Sequence, residues 1–368
     1  MSFSRYRVAP IVALAMVCGL YLVLEARLWE FIVDDAFISF RYAENWAQGR
    51  GLVYNVGERT EGYTNFLYTA LLGVAIKLGA DPIVVAKILG LAGGICTLIL
   101  TERLACLAFP SQPSWRLLPP LLLASNGTFV VQTADGLETS LSTALVLLCA
   151  LLFLKEVRNP GRAALSGLAV AAASLTRPDN ALLVPLFLAL RPIAGGHPRP
   201  RKGECLRWML SFLLLFAAVY VPYYAWRSWF YGYAFPNTFY AKSGGSYYLL
   251  RRAVRSLKLF ADSLTLPVCV FAPLVLFSRG VRSWLVTCYG IILVKVGFQL
   301  WSGGAWMGRL RFLLPAMPFI YLLAAMGLRD TLQALSLAEN KSRAAVAARY
   351  ALVTIFVVVA LSLNWVNL

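Results

Sequence analysis

Long apolar runs with almost no charge constrain this chain more than any other feature. They lie from about Val8 into the twenties and near 63–79, 83–100, 117–131, 139–154, 164–176, 181–190, 208–226, 264–277, 284–300, 312–328 and 350–366. Several hold about 17–25 apolar residues, enough to cross a ~30 Å hydrocarbon layer as helix. Within lipid every backbone N–H and C=O needs an internal partner, which leaves helices as the spanning element. The expectation is an all-α, polytopic membrane protein. With 60% hydrophobic and only 14% charged residues, the chain lacks the polar surface that a soluble protein of this length requires.

The formal net charge of +17 would suggest a nucleic-acid partner in a soluble protein. Here it reads as the positive-inside bias of cytoplasmic loops and attraction to anionic headgroups, so no nucleic-acid partner is expected. The seven cysteines fall mostly inside apolar runs without paired spacing, indicating neither a metal site nor a disulfide framework. The one histidine, His197, sits in a basic, Pro-rich segment. A histidine-based catalytic apparatus is excluded on that ground. The basic N-terminus and first apolar run resemble a signal peptide but lack a small-residue cleavage site. We read them as a retained first span with a cytoplasmic N-terminus.

Two kinds of connection alternate along the chain. One is basic and bland: 101–116, 155–162, 191–207, 279–283 and 329–349. The other is acidic, aromatic or Gly-rich: the Asp34 region, TADGLE (133–138), RPDN (177–180), 227–258 and SGGAWMGR (302–309). Placing the basic set in the cytoplasm puts the second set outside. The crossing count then requires that 63–79, with polar groups at its start and Lys77 near its end, lies against the outer leaflet instead of crossing. About eleven spans result. Residues 1–368 form a single transmembrane domain, with 28–82 as a first outer loop that carries juxtamembrane helices. The cations of 227–258 run against the orientation rule, and either headgroups or an anionic ligand would account for them.

The acid pair Asp34–Asp35 closes the first apolar segment, where a carboxylate in hydrocarbon would cost ~2.5–3.5 kcal/mol. Residues 36–48 read as an interfacial helix ended by Gly49 and Gly51. One aspartate could cap it; the other could act as a general base at the membrane edge. Further candidates for contacting a substrate are Arg41, Glu61, Tyr63, Asn65, Asp135, Glu138, Arg177, Asp179, Asn237, Tyr240, Lys242, Arg309 and Arg311. Arg177 with Asp179 could equally be a structural ion pair, Asp135 and Glu138 could pair locally or cap a span, and Arg309 and Arg311 could anchor a helix end. As a set, carboxylates suit sugar hydroxyls, and Arg or Lys suits a phosphate. No P-loop or GxGxxG is present, which argues against a nucleotide substrate. No cofactor is identifiable. The paired aspartates could bind a divalent ion, but the six oxygen ligands such a site needs are not identifiable.

The segments DDAFISFRYAENWAQGRGLVYNVGERTEGYTN, TADGLETSL, SLTRPDN, FPNTFYAK and GGAWMGRLRFLLP together resemble the GT-C superfamily of polytopic glycosyltransferases. They are most similar to the mycobacterial terminal β-(1→2)-arabinofuranosyltransferases and their bacterial relatives, over most of residues 30–320. The resemblance implies a bacterial inner-membrane enzyme whose site faces the periplasm. Its donor would be a polyprenyl-phosphate-linked sugar, and its acceptor a glycan, lipid or protein. It also implies a base in the first outer loop, at Asp34 or Asp35, and juxtamembrane helices there. The expected chemistry is an inverting transfer, with Lys242 and Arg309 or Arg311 on the leaving phosphate and Arg177 in reserve. Two departures bear on the sugar. Ala305 stands where relatives often have aspartate, and the chain stops at Leu368 without the C-terminal soluble domain of the mycobacterial enzymes. The rival readings are a transporter or flippase for a lipid-linked sugar, which would need no base, and an inactive accessory protein.

Overall fold

The computed structural model describes residues 5–159, 163–194, 201–242, 247–277, 283–304 and 310–338, with a few single positions between 351 and 358. The regular structure among these is helical throughout. The first half comprises α1 (Arg5–Ala26), α2 (Asp34–Ala47), α3 (Phe66–Lys77), α4 (Pro82–Ala108), α5 (Pro113–Ala124), α6 (Gly127–Ala134), α7 (Thr139–Arg158) and α8 (Ser166–Thr176). A 3-10 turn at Pro178–Leu182 leads into α9 (Leu183–Leu190). The rest comprises α10 (Lys202–Tyr231), α11 (Asn237–Lys242), α12 (Tyr247–Leu264), α13 (Leu266–Leu274), α14 (Ser283–Ser302) and α15 (Met317–Ala338).

Among the described residues, four helices are long and apolar enough to cross a membrane: α4, α7, α10 and α14. The α12–α13 pair makes a fifth if its 94° bend is counted within one span. The bend falls at Thr265, which has φ +68, a conformation that costs a β-branched residue strain. Other apolar runs form shorter pieces, such as the 11-residue α8 and the 8-residue α9. The described helices therefore do not add up to eleven full-length crossings. Short helices suffice where protein, and not lipid, satisfies the broken backbone. The segment expected not to cross forms α3, with 12 residues, about 18 Å of helix.

The central bundle is held together by one large apolar core drawn from α1, α4–α10 and α12–α15. Helix α4 packs closely on both α6 and α7 because it offers glycines at the crossings. A Cβ at Gly90 would stand 2.2 Å from the carbonyl oxygen of Thr133, and one at Gly93 would stand 2.7 Å from Ser140 Oγ. Small residues at such crossings let backbones approach where lipid provides no hydrophobic drive. The α4 helix starts sharply, with Asp81 accepting from the N–H groups of Ile83 and Val84 and Pro82 at the first position. A separate small core under the first outer loop joins Phe40 and Ala43 of α2 to Tyr68 and Leu72 of α3, with Ala86 and Leu137 beneath.

The two sets of loops segregate. Within the acidic and aromatic set and its helix ends, Asn65, Arg177 and Arg311 meet on Glu138, and Glu61 meets Arg227. The basic set meets elsewhere: Glu156 accepts from Ser166 and from Trp208 Nε1, Arg191 stacks over Trp208, and Arg329 reaches toward the carbonyl of Ala108. The structure is that of a multi-pass membrane protein.

Candidate functional site

The acids sit at the start of α2, though not as caps. The cap residue is Val33, with no side-chain cap bond, and the helix begins at Asp34, two residues earlier than residues 36–48 suggest. Asp34 accepts the N–H of Asp35 at 3.0 Å and is exposed. Both carboxylates thus lie in the first turn, where the helix dipole favours negative charge. Their approach is fixed from below. Lys87 of α4, 4% exposed, donates to the carbonyls of Leu28 (3.3 Å), Phe31 and Ala134 (2.7 Å). An ammonium has three donors; here two hold the turn that delivers α2 and the third ties it to the end of α6. Lys87→Met should lower the melting temperature and speed protease cleavage near 27–33, since each stranded carbonyl costs about 1–3 kcal/mol. Unchanged cleavage in that turn would show that the lysine does not hold it.

From Asp35 a chain of alternating charges runs into the bundle. Arg311 Nη1 lies 3.5 Å from Asp35 Oδ2, while Nη2 donates to Glu138 Oε1 at 2.8 Å. Arg177 donates to the same Glu138 oxygen at 2.8 Å and to Asp179 Oδ1 at 3.0 Å. Lys295 of α14 donates to Asp179 Oδ2 at 2.7 Å and also to Asn180. Three acids and three cations alternate, so the set is neutral, as buried charges must be if they are to stay ionised. Glu138 also accepts from Asn65, which is bonded to Ser39 of α2.

Burial would raise the pKa of Glu138, but Arg311 and Arg177 outweigh it and hold the carboxyl at about 2. Glu138 is therefore ionised throughout the physiological range. Its depressed value stabilises the fold above the ordinary carboxylate pKa, and that contribution fades only as pH falls toward 2.

The chain of charges is closed at one end and open at the other. The side chains of Lys295, Asp179 and Glu138 are 0%, 2% and 1% exposed, whereas those of Arg311 and Asp35 are 18% and 40% exposed. Arg311 Nε has no hydrogen-bond partner among the described residues. A ligand that reaches this cluster meets Asp35 and Arg311 first.

The remaining residues expected at the site divide into several groups. Asn65, Glu138, Arg177, Asp179 and Arg311 join the cluster. Arg177, 5% exposed, is committed to two carboxylates and to the face of Phe312 at 4.5 Å; it is the structural pair weighed above, extended by a second acid. Asp135 does not pair with Glu138 but accepts the N–H of Leu137, and its carbonyl accepts from Val33. Glu61 is buried against Arg227, a bidentate pair that ties the first outer loop to α10, while its carbonyl accepts from the N–H of Asn237. Tyr63 is buried among Tyr42 and Tyr231. Arg41 donates to the Tyr54 carbonyl. Tyr240 is exposed beside Phe235 and Phe239. Lys242 ends α11, but its side chain, like Arg309 and Ala305, lies outside the described residues.

The cations of 227–258 also divide. Arg227 faces Glu61, and Arg252 donates to the carbonyls of Gly303 and Gly304; Arg251, Arg255 and Lys258 stay exposed on α12. Breaking the Glu61 pair on one side should be severe. Glu61→Ala strands a buried guanidinium and should cost about 3–5 kcal/mol, whereas the double variant Glu61→Gln with Arg227→Met should cost less. Melting curves of the single and double variants decide this, and equal losses would refute the pairing.

Residues not singled out from the sequence include Lys295, Lys87, Ser39 and Asn180. The two lysines had a usable signal, since each is a charge inside an apolar run. Among the described residues, no three His, Cys, Asp or Glu side chains gather as a metal site would require.

The comparisons show where else this all-helical fold occurs: it is shared with the solved structures of two membrane proteins, ArnT and an archaeal oligosaccharyltransferase. ArnT from Cupriavidus metallidurans, in its crystal structure bound to undecaprenyl phosphate, superposes with a TM-score of 0.61 at 14% identity over 95% of this chain and 71% of that one. The oligosaccharyltransferase AglB from Archaeoglobus fulgidus, in complex with an inhibitory peptide and a dolichol-phosphate, gives 0.64 at 12% identity over 99% of this chain and 56% of that one. In sequence, the chain is similar to the terminal β-(1→2)-arabinofuranosyltransferase of Mycobacterium tuberculosis, 27% identical over 238 residues, or 59% of this chain. The chain spans about a third, 35%, of that relative's length. No family model matches.

Proposed function

We propose that this chain is a membrane glycosyltransferase. It takes a sugar from a polyprenyl-phosphate donor and places it on a glycan, lipid or protein acceptor at the outer face of the bacterial plasma membrane. The observation that carries this reading is the open end of the charge cluster, where a carboxylate and an arginine are both within reach of a ligand. The lipid phosphates in the ArnT and AglB structures support the donor class, and the arabinofuranosyltransferase similarity makes arabinofuranose the first sugar to try.

The chemistry follows from the two groups. Asp35 takes the proton of an acceptor hydroxyl as that oxygen attacks the anomeric carbon from the face opposite the phosphate. The bond from carbon to phosphate oxygen breaks, and the polyprenyl phosphate leaves with the electron pair and inversion at carbon. A phosphate is already a stable anion, so it needs a cation more than a proton donor. Arg311 supplies that charge, with Arg309 and Lys242 as further candidates. When the phosphate engages Arg311, the guanidinium is shared and Asp35 is released to accept a proton. Arg177 drops out as a phosphate ligand because both sides of its guanidinium are occupied. Asp34, exposed and bonded to the next N–H, is the weaker candidate for the base.

The test separates enzyme from carrier. Protein reconstituted in vesicles is given a labelled polyprenyl-phosphate sugar, arabinofuranose first, together with arabino-oligosaccharide acceptor. Labelled product with released polyprenyl phosphate is the expected result. Donor that crosses the bilayer without product would make the chain a flippase, and neither movement nor product would leave only the accessory role.

A further inference from the structure

The first outer loop contains a cleft that the transfer site does not use. It encloses about 320 Å3 and is lined by Ile38, Tyr42, Tyr54, Asn55, Glu58 and Thr60. We infer that this cleft is the acceptor subsite and that it binds the terminal saccharide unit of a glycan; the inference rests on the glycosyltransferase reading above.

Position is the first argument. On α2 the cleft residues Ile38 and Tyr42 lie three and seven positions beyond Asp35, which is the spacing of one helix face. The near edge of the cleft is thus one turn, about 5 Å, from the carboxylate. Arg311 meets the same carboxylate from the neighbouring segment at 3.5 Å. Asp35 thus touches the phosphate-binding cation and shares a helix face with the cleft. An inverting transfer needs the base on the acceptor side, because donor and acceptor approach the reacting carbon from opposite faces.

Construction is the second argument. The cleft is built from a loop that is pinned from several directions. Tyr42 Oη donates to the Thr60 carbonyl at 2.7 Å and accepts the Gly62 N–H at 2.8 Å. Asn45 Nδ2 donates to the carbonyls of Val53 and Tyr54 at 2.8 and 2.9 Å, and Arg41 Nε donates to Tyr54 as well. The rings of Tyr42 and Tyr54 lie 5.9 Å apart with a 53° tilt, and Tyr54 remains 44% exposed. A loop held this firmly binds a ligand without first having to be ordered.

Chemistry is the third. Exposed aromatic surface suits the C–H face of a sugar ring, while a carboxylate and an amide suit its hydroxyls. Asn55 Nδ2 donates to Glu58 Oε2 at 3.1 Å, which fixes both side chains and leaves their other oxygens as acceptors. The volume is at the small end of the ~300–1,000 Å3 range of ligand sites, so the cleft takes the end of a glycan and not a length of it. No cation lines it, which distinguishes it from the phosphate-binding end of the site.

The test uses full-length protein in nanodiscs, without donor, against a panel of short arabino-, manno- and gluco-oligosaccharides read by saturation-transfer NMR. At least one panel member is expected to receive saturation in its terminal ring protons. Tyr54→Ala and Glu58→Gln should each weaken that binding by about fivefold or more, while retention of undecaprenyl phosphate stays within about twofold of wild type. Glu58 is exposed and, among the described residues, its side chain bonds only Asn55, so its variant reports on binding even if Tyr54→Ala unfolds. No binding by wild type, or binding unchanged in Glu58→Gln, overturns the cleft. Failure of the transfer reaction itself would appear in the vesicle assay and leave this binding result standing, so the two readings fail separately.

Discussion

Arg311→Met is expected to cut glycosyl transfer by about 10²–10³-fold, the usual loss when a single group stabilising the developing anion is removed. Arg311 is the one cation of the charge chain that is partly exposed, and its Nε has no described partner. Nε itself is buried, so a phosphate would compete with Asp35 for Nη1. Methionine keeps most of the apolar stem and its packing. Glu138 would retain Arg177 and Asn65 as donors, so the fold should survive with a lowered melting temperature. Arg311→Lys should recover part of the rate, because an ammonium restores charge but not the forked geometry that grips carboxylate and phosphate together. Single-turnover transfer measured beside a melting curve checks both points. A folded Arg311→Met protein within about threefold of wild type would mean that the phosphate is held by other cations.

The second large effect concerns the acid pair. Asp35→Asn should lower kcat by about 10²–10⁴-fold, the contribution of a positioned general base, with donor binding little changed. Asp34→Asn should retain most of the rate, because Asp34 is exposed and an asparagine oxygen can still accept the Asp35 N–H. Measuring kcat at saturating donor and acceptor for both variants separates these roles. If Asp34→Asn is the dead variant and Asp35→Asn the live one, the base is misassigned and the contact between Asp35 and Arg311 is structural only.

The helical membrane architecture was legible because it depends on composition and run length, which survive without knowledge of contacts. Loop charge was equally informative: segments such as TADGLE and RPDN, sorted to one side by sign alone, meet in the fold through Glu138 and Arg177. The pairing itself was not legible. Nothing local says that Glu138 faces Arg311, 173 residues further on, or that Glu61 faces Arg227 rather than a substrate. Lys295 was hidden for a related reason. In the run IILVKVGF its charge is diluted by apolar neighbours, and only the fold shows that Asp179 waits opposite. Helix lengths were overestimated where apolar runs were equated with spans, since an apolar residue buried in protein and one facing lipid look alike in sequence. Helix α8 and the turn at Pro178–Leu182 are the clearest case: Pro178 disfavours helix at Arg177, which is extended, and the break between two short helices brings Arg177 and Asp179 into the charge cluster.

The most direct measurement is a cryo-EM structure of the full chain in nanodiscs with undecaprenyl phosphate bound. The account predicts the phosphate within hydrogen-bond distance of the Arg311 guanidinium, with the Asp35 carboxylate turned toward the cleft side of α2. A phosphate bound away from the start of α2, with Arg311 still bridging Asp35 and Glu138, would contradict it.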